Sequence, residues 1–319
     1  MDEFSFIDAI KPTAYKQSAL IKGIGDDAAV FRSTSDIVTT VDTFVENIHF
    51  SLETMDPFHI GYRVLAANIS DLAAMGAEPA FYLVSMCIPK KWKQHALEEI
   101  YRGMDELASK YRMDLIGGDT VSSDCLMISI TAIGYVPKER ARYRSDAKPD
   151  DIVFTTGTLG DSRAGLEILL QGKEYKDKDY FIKRHRLPEP RVGFVLDLRE
   201  IDRMALNDIS DGISNEANEI AEASGVELTI IEEKIPVSDS FHQFSEAQQH
   251  EWKLSGGEDF ELLGTVSEVH WPRMQEVASL AGTSVHQIGY VRKAEKPCVL
   301  IQSDGETKQL TKSGYTHLK

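Results

Sequence analysis

The chain has 319 residues, 42% of them apolar and 27% charged, a composition that buries a sizeable core and excludes a disordered or fibrous chain. Its formal net charge of −16 repels phosphate backbones and anionic lipid, which argues against nucleic acid or a membrane surface as partner. Three scattered cysteines, Cys87, Cys125 and Cys298, form no CxxC pair and speak against a disulfide framework or a zinc knuckle.

Strand and helix patterns alternate along the chain. Ile37 to Val41 reads as a β-branched strand. Asp56 to Met75 reads as a helix with Ile60, Val64, Leu65, Ile69 and Leu72 at helical spacing, and Pro57 fits its first position after Asp56 as cap. Phe81 to Ile88 is a buried strand, His95 to Tyr111 an amphipathic helix and Leu126 to Val136 an alternating strand. The run Phe81 to Ile88 is also the longest apolar stretch, too short to span a bilayer. With the reduced cysteines and the acidic start Met1-Asp2-Glu3-Phe4, it leads to the expectation of a cytoplasmic protein.

Pro137 to Asp151 is polar, rich in Lys and Arg, and reads as a linker. The alternation then restarts. The expected elements are a strand over Ile152 to Thr156, a turn at Gly157 and Gly160, and helices over Asp161 to Leu170, Arg191 to Met204 and Gly212 to Ala223. A strand follows over Val226 to Ile231, another over Leu262 to Val266, then a helix over Trp271 to Ala281 and a strand over Val285 to Val291. This predicts two α/β or α+β domains, residues 1–148 and 149–319.

Five acidic spots carry the chemical signal. Gly23-Ile24-Gly25-Asp26-Asp27 places adjacent carboxylates after glycines; they repel unless a cation or hydrogen bonds offset the charge, and a tight turn with solvated aspartates is the alternative. Thr40-Val41-Asp42-Thr43 puts a carboxylate at the end of a strand, where ligands bind in α/β proteins, or where a strand merely stops. Asp71 lies inside an apolar helical stretch, with Asn68 on the same face; the charge needs a metal, or an ion pair such as Arg63 would give. Leu115-Ile116-Gly117-Gly118-Asp119 runs a short strand into two glycines that suit a phosphate-facing backbone, or simply a turn. Asn207-Asp208-Ile209-Ser210-Asp211-Gly212 precedes a helix, where Asp211 is either a cap or one of several oxygens at a helix entrance. An EF-hand is excluded because Ile209 stands where an oxygen ligand is needed. Gly117-Gly118-Asp119 has an echo in Gly256-Gly257-Glu258-Asp259.

Mg²⁺ takes one or two carboxylates together with substrate phosphates, so scattered Gly-flanked aspartates suggest several Mg²⁺ ions around a polyphosphate. No GxxxxGK[ST], HRDxxxxN, DFG, GxSxG or HExxH motif occurs.

GIGDDAA, TTVDTFVENIHF, NISDLAAMGAEP, LIGGDT, NDISDG and LSGGEDFEL occur in that order, and the ordered set resembles the signatures of bacterial thiamine-monophosphate kinases. These belong to the superfamily of aminoimidazole ribonucleotide synthetase, and the likeness runs from about Phe4 to Tyr315. It implies an α/β (α+β) two-domain fold and a homodimer in which the N-terminal domains pair as a β-barrel. It also implies the transfer of a phosphoryl group from ATP to thiamine monophosphate. The resemblance assigns Mg²⁺ ligands at Asp27, Asp42, Asp71, Asp119, Asp208 and Asp211, with the Thr40 hydroxyl at the cluster. It assigns ATP contacts at Tyr101, Gly118, Asp119, Arg144 and Ser210, and substrate contacts at His49, Glu258 and Tyr315. Val41 departs from relatives that carry a hydroxyl there and is left out.

The acceptor is a phosphate monoester, already anionic, so no general base or covalent nucleophile is assigned; charge neutralisation and alignment are what the reaction needs. Two other readings stand beside this one. An aminoimidazole ribonucleotide synthetase would show a DGVGTK-type block, where this chain has DTFVENIHF. A non-catalytic cation- or nucleotide-binding protein would show no acceptor-dependent ATP turnover.

Overall fold

The computed structural model describes residues 9–24 and 28–314. Asp27 and Tyr315, both assigned from sequence, lie outside the described residues. The chain divides into two compact units, one of Met1–Leu72 and Ala77–Glu139, the other of Ala73–Gly76 and Arg140–Lys319. The main change of unit falls inside the stretch that sequence reads as a linker.

In the first unit a small hairpin, β1 (Leu20–Lys22) and β2 (Val30–Phe31), precedes a four-stranded sheet. The sheet comprises β3 (Asp36–Val45), β4 (Glu78–Ile88), β5 (Asp114–Ser122) and β6 (Met127–Val136), in the order β3-β6-β4-β5. Only β4 and β5 run parallel. Alternation sets two faces. Ile128, Ile130 and Ala132 of β6 are fully buried, while Ile37 and Val41 of β3 and Val121 of β5 stay exposed. Helices α1 (Pro57–Ala74) and α2 (Gln94–Lys110) carry most of the remaining core of this unit. They approach so closely that a Cβ on Gly61 would stand 1.7 Å from the Ile100 carbonyl, which is why α1 tolerates a glycine in its interior.

The second unit is built on a seven-stranded sheet, in the order β13-β12-β9-β11-β7-β10-β8. Its strands are β7 (Asp151–Thr156), β8 (Ala205–Ile209), β9 (Val226–Ile231), β10 (Glu261–Ser267), β11 (Val285–Lys293), β12 (Cys298–Ser303) and β13 (Glu306–Gln309). Strand β7 is buried along its whole length. Val153 packs into one core with Ile213, Ala217 and Ile220 of α6 (Ile213–Ser224), while Ile152 and Phe154 pack into a second core with Met274 and Val277 of α8 (Trp271–Leu280). A strand covered on both faces reads as a continuous apolar run. Helices α3 (Asp161–Gln171), α4 (Lys178–Arg186), α5 (Val192–Leu196) and α7 (Glu246–Ser255) complete the unit.

Two expectations are corrected. The helix expected over Arg191 to Met204 stops at Leu196; the chain continues through turns in which Leu198 N–H bonds Val195 O and Ile201 N–H bonds Leu198 O. Phe194, Val195, Leu198 and Ile201 are all buried, so their spacing recorded burial in the second core rather than continuous helix. Gly117-Gly118 is not a turn. The strand continues through both glycines to Ser122, paired with β4, and glycine is needed at 118 because a Cβ there would stand 2.0 Å from the Val84 carbonyl of that neighbouring strand.

No helix among the described residues is long and apolar enough to cross a membrane.

Candidate functional site

In the first unit the structure brings together Thr40, Asp42 and Asp71. Thr40 and Asp42 are two apart on β3 and share its half-buried face, while Asp71 lies in the last turn of α1, a turn with no basic residue. The Thr40 hydroxyl donates to Asp71 Oδ2 at 2.5 Å. Burial, together with the Asp71 charge, pushes the Asp42 carboxyl up to about 7. A carboxylate at a helix C-terminus works against the helix dipole. The Asp42 and Asp71 carboxylates and the Thr40 hydroxyl form an all-oxygen set whose repulsion a hard cation would relieve.

Asp119 is not part of that group. Strand register aligns Asp119 with Ser85, Ser85 with Ser129, and Ser129 with Thr43. This row lies on the opposite face from Asp42, and Asp119 is exposed there. Gly118, aligned with Val84, has the close backbone contact noted above. His49 occupies the tight turn after β3; its Nδ1 accepts the Val45 N–H at 3.0 Å, which leaves the proton of a neutral ring on Nε2, and Phe44 packs edge-on against it. Tyr101 is buried on α2, where it lines a cavity of about 450 Å³ with Tyr82, Arg102, Asp105 and Asp114.

In the second unit Asp208 ends up buried near the end of β8, a strand that sequence reading did not find. The chain leaves β8 through Ser210 and Asp211 and enters α6 at Gly212, whose φ of 112° and close contact with Ser255 leave no room for a side chain. The Gly256-Gly257-Glu258 loop docks on this turn. Glu258 N–H donates to Ser210 O at 2.6 Å, and Phe260 N–H to Ile209 O at 3.0 Å. Glu258 itself has φ 58°, a backbone state rare for a residue with a side chain. Gly314 packs on the same turn, donating to Asn215 Oδ1 at 3.1 Å, while Ser313 and Ser214 hydroxyls lie 3.0 Å apart. Arg144 pairs with Glu219 of α6 at 3.2 Å, and Glu219 in turn accepts from Asn207 at 3.0 Å, next in sequence to Asp208. The two Gly-Gly-acid motifs are therefore not equivalent: one is a strand, the other a left-handed loop.

The residues present suit a hard divalent cation. Their donors are carboxylate and hydroxyl oxygens, and buried carboxyl groups stand close enough to raise one another. Glu216 shows this most plainly. It is 3% exposed, its Oε1 accepts the Asp211 N–H at 2.9 Å, and its Oε2 has no hydrogen-bond partner among the described residues. Burial raises its carboxyl well above the usual range, and the charges of Asp208 and Asp211 add to that. Among the described residues no three His, Cys, Asp or Glu side chains gather closely enough to hold a metal by themselves.

Comparison with known proteins gives the family. The family "AIR synthase related protein, N-terminal domain" matches residues 25–136, and its C-terminal counterpart matches residues 148–301. A thiamine-monophosphate kinase of Bacillus subtilis is 45% identical over the whole of both chains. The chain belongs to the thiamine-monophosphate kinase family. Among solved structures, the thiamine-monophosphate kinase of Stenotrophomonas maltophilia superposes with a TM-score of 0.85 at 31% identity, covering 96% of this chain and 98% of that one. A structure described as AaThiL complexed with AMPPCP and TMP matches with a TM-score of 0.79 at 32% identity, over 99% and 97% of the two chains.

Within this kinase family reading, two residues escaped sequence reasoning. Glu216 shares the α6 face of Ile213, Ala217 and Ile220, so a Glu at an apolar-face position was the available signal. Asp259 stands beside Glu258 in the motif, and sequence reasoning gave it no role. It is 2% exposed and accepts the N–H groups of Gly160 and Ser162 at 2.8 and 3.2 Å. Burial lifts its carboxyl to about 7, against the pull of Arg184 and the Gly160 N–H.

Proposed function

We propose that this protein transfers the γ-phosphoryl group of ATP to thiamine monophosphate, giving thiamine diphosphate and ADP. The observation that carries the reading is its likeness, over nearly the full length of both chains, to the structure with AMPPCP and TMP. Mg²⁺ ions bound to these residues would neutralise the phosphates and align donor with acceptor.

The protein's own groups have distinct tasks in this proposal. Asp42 and Asp71 in the first unit, and Asp208 and Asp211 in the second, would hold Mg²⁺, with Asp27 and Asp119 as further ligands. The Thr40 hydroxyl orients the Asp71 carboxylate through its hydrogen bond. Arg144, half exposed and tethered by Glu219, would neutralise phosphate charge on the ATP side with Ser210, Gly118 and Tyr101. Glu258, His49 and Tyr315 would serve the acceptor. None of these groups has to abstract a proton, because the attacking phosphate oxygen is already anionic at neutral pH.

The exposed apolar face carrying Ile37, Val41 and Val121 supports the proposal of a homodimer formed through this sheet. Asp119 lies on that face, so a second copy would cover it.

The residue assignments are tested by Mg²⁺ titrations of turnover in Asp42→Asn and Asp208→Asn. Each is expected to need about tenfold or more Mg²⁺ for half-maximal rate while circular dichroism stays unchanged. Wild-type Mg²⁺ dependence in a folded variant removes that residue from the metal set.

A further inference from the structure

The loop that presents Glu258 is held in an unfavourable backbone state. Glu258 and Phe260 have φ of 58° and 50°, and both carry side chains that disfavour the left-handed region. Such a conformation persists only where the surroundings over-determine it. Two anchors are main-chain bonds, Glu258 N–H to Ser210 O and Phe260 N–H to Ile209 O. Any residue could make them. The third anchor is a side chain. Asp259, between the two strained residues, turns inward and is fully buried, with Oδ2 on the Gly160 N–H and Oδ1 on the Ser162 N–H.

Those two donors belong to the start of α3, an element separate from the Ser210–Asp211 turn. They are backbone groups at a helix N-terminus, where an anionic acceptor is well placed. The N-cap position there is Gly160, which has no side chain to serve as acceptor, so Asp259 supplies it from 99 residues away. The carboxylate therefore ties the loop to α3 on one side while the main-chain bonds tie it to the end of β8 on the other. With the residue on each side of it in the left-handed region, the direction in which the Glu258 side chain leaves the chain is set by where Asp259 points.

We infer that Asp259 is a positioning residue for acceptor binding: it locks the loop so that Glu258 faces the thiamine monophosphate. This rests on the reading of Glu258 as an acceptor-side residue. A helix cap with no link to the substrate makes different predictions, and a double-mutant cycle separates the two.

Asp259→Asn preserves shape, but its amide nitrogen cannot accept, so one of the two N–H bonds is lost. Steady-state kinetics are compared for wild type, Glu258→Gln, Asp259→Asn and the double variant. D259N should raise KM for thiamine monophosphate by about tenfold and leave KM for ATP within about twofold of wild type. E258Q should raise the acceptor KM by about tenfold or more, and D259N should add less than about twofold in that background, because it acts through Glu258. In hydrogen exchange of folded D259N, the amides of Glu258 and Phe260 should lose protection while the seven-stranded sheet keeps it.

An acceptor KM unchanged in D259N, or D259N and E258Q effects that multiply in full, would make Asp259 a helix cap only and overturn the inference. If E258Q itself leaves the acceptor KM unchanged, Glu258 is not on the acceptor side, and both that assignment and the inference fall. Should D259N not fold, Ser162→Pro removes one donor at the second helical position, where the N–H has no intrahelical partner to lose. It should raise the acceptor KM in the same selective way, and a folded S162P with wild-type KM contradicts the inference.

Discussion

Thr40 and Asp71, 31 residues apart, meet through a hydrogen bond of 2.5 Å from the threonine hydroxyl to the carboxylate. This bond joins the middle of β3 to the last turn of α1 and fixes the orientation of a carboxylate proposed to hold metal. Thr40→Val keeps the shape and removes the donor. A hydrogen bond to a charged group is worth about 1.5–3 kcal/mol. The variant should fold normally and lose about tenfold or more in kcat at limiting Mg²⁺, with partial recovery at high Mg²⁺. Full activity at limiting Mg²⁺ would show that the bond is only structural.

Asp42 gives a pH dependence with a definite sign. Burial and the Asp71 charge raise its carboxyl from 3.8 to about 7. A raised carboxyl destabilises the ion-free fold as pH climbs through that window, because the folded state holds its proton longer than the unfolded state. A bound cation favours the carboxylate, so Mg²⁺ binding should release a proton near pH 6.5 and tighten as pH rises from 6 to 8. Calorimetric titration in two buffers of different ionisation enthalpy measures the release. Asp42→Asn should reduce it by the Asp42 share; equal release in the variant would assign the proton to another group such as Glu216.

Glu216 separates two kinds of substitution. Glu216→Gln retains an acceptor for the Asp211 N–H and removes a buried, raised carboxyl, so unfolding free energy without Mg²⁺ should change little. Glu216→Ala leaves that N–H without its acceptor and should cost about 1–3 kcal/mol. Urea unfolding of both variants checks the split, and equal losses would contradict it.

Gly118 has a steric reason to be glycine that is independent of any nucleotide. A Cβ there would stand 2.0 Å from the Val84 carbonyl, whereas one on Gly193 meets nothing within 4 Å. Gly118→Ala should therefore destabilise the protein by about 1–3 kcal/mol. Gly193→Ala, on a short helix, should be neutral or stabilising by less than about 1 kcal/mol. Denaturation midpoints of the pair give the comparison.

Much of this was legible in the sequence, for physical reasons. Strongly periodic segments such as α1 and β6 were found within a residue or two, because their apolar faces are long and one-sided. Strand β8 was missed because Ala205–Ile209 is short, is buried on both faces and carries two polar residues, so it shows neither alternation nor an apolar run. At Gly117-Gly118 the turn stood as an open alternative because local propensity cannot see the neighbouring Val84 carbonyl. Asp71 was singled out correctly as a charge in an apolar helix, but its Thr40 partner is a tertiary contact. Asp259 stayed hidden because its burial depends on backbone N–H donors 97 and 99 residues away that no motif records, whereas Glu216 carried a signal in its place on an apolar helix face.

The most direct test of the central claim is ADP release by the purified protein with ATP and Mg²⁺, in the presence of thiamine monophosphate, of thiamine, or of neither. ADP should appear only with the monophosphate, matched one for one by thiamine diphosphate. Folded, ATP-binding protein that releases no ADP with the monophosphate, or releases it equally with thiamine, would contradict the account.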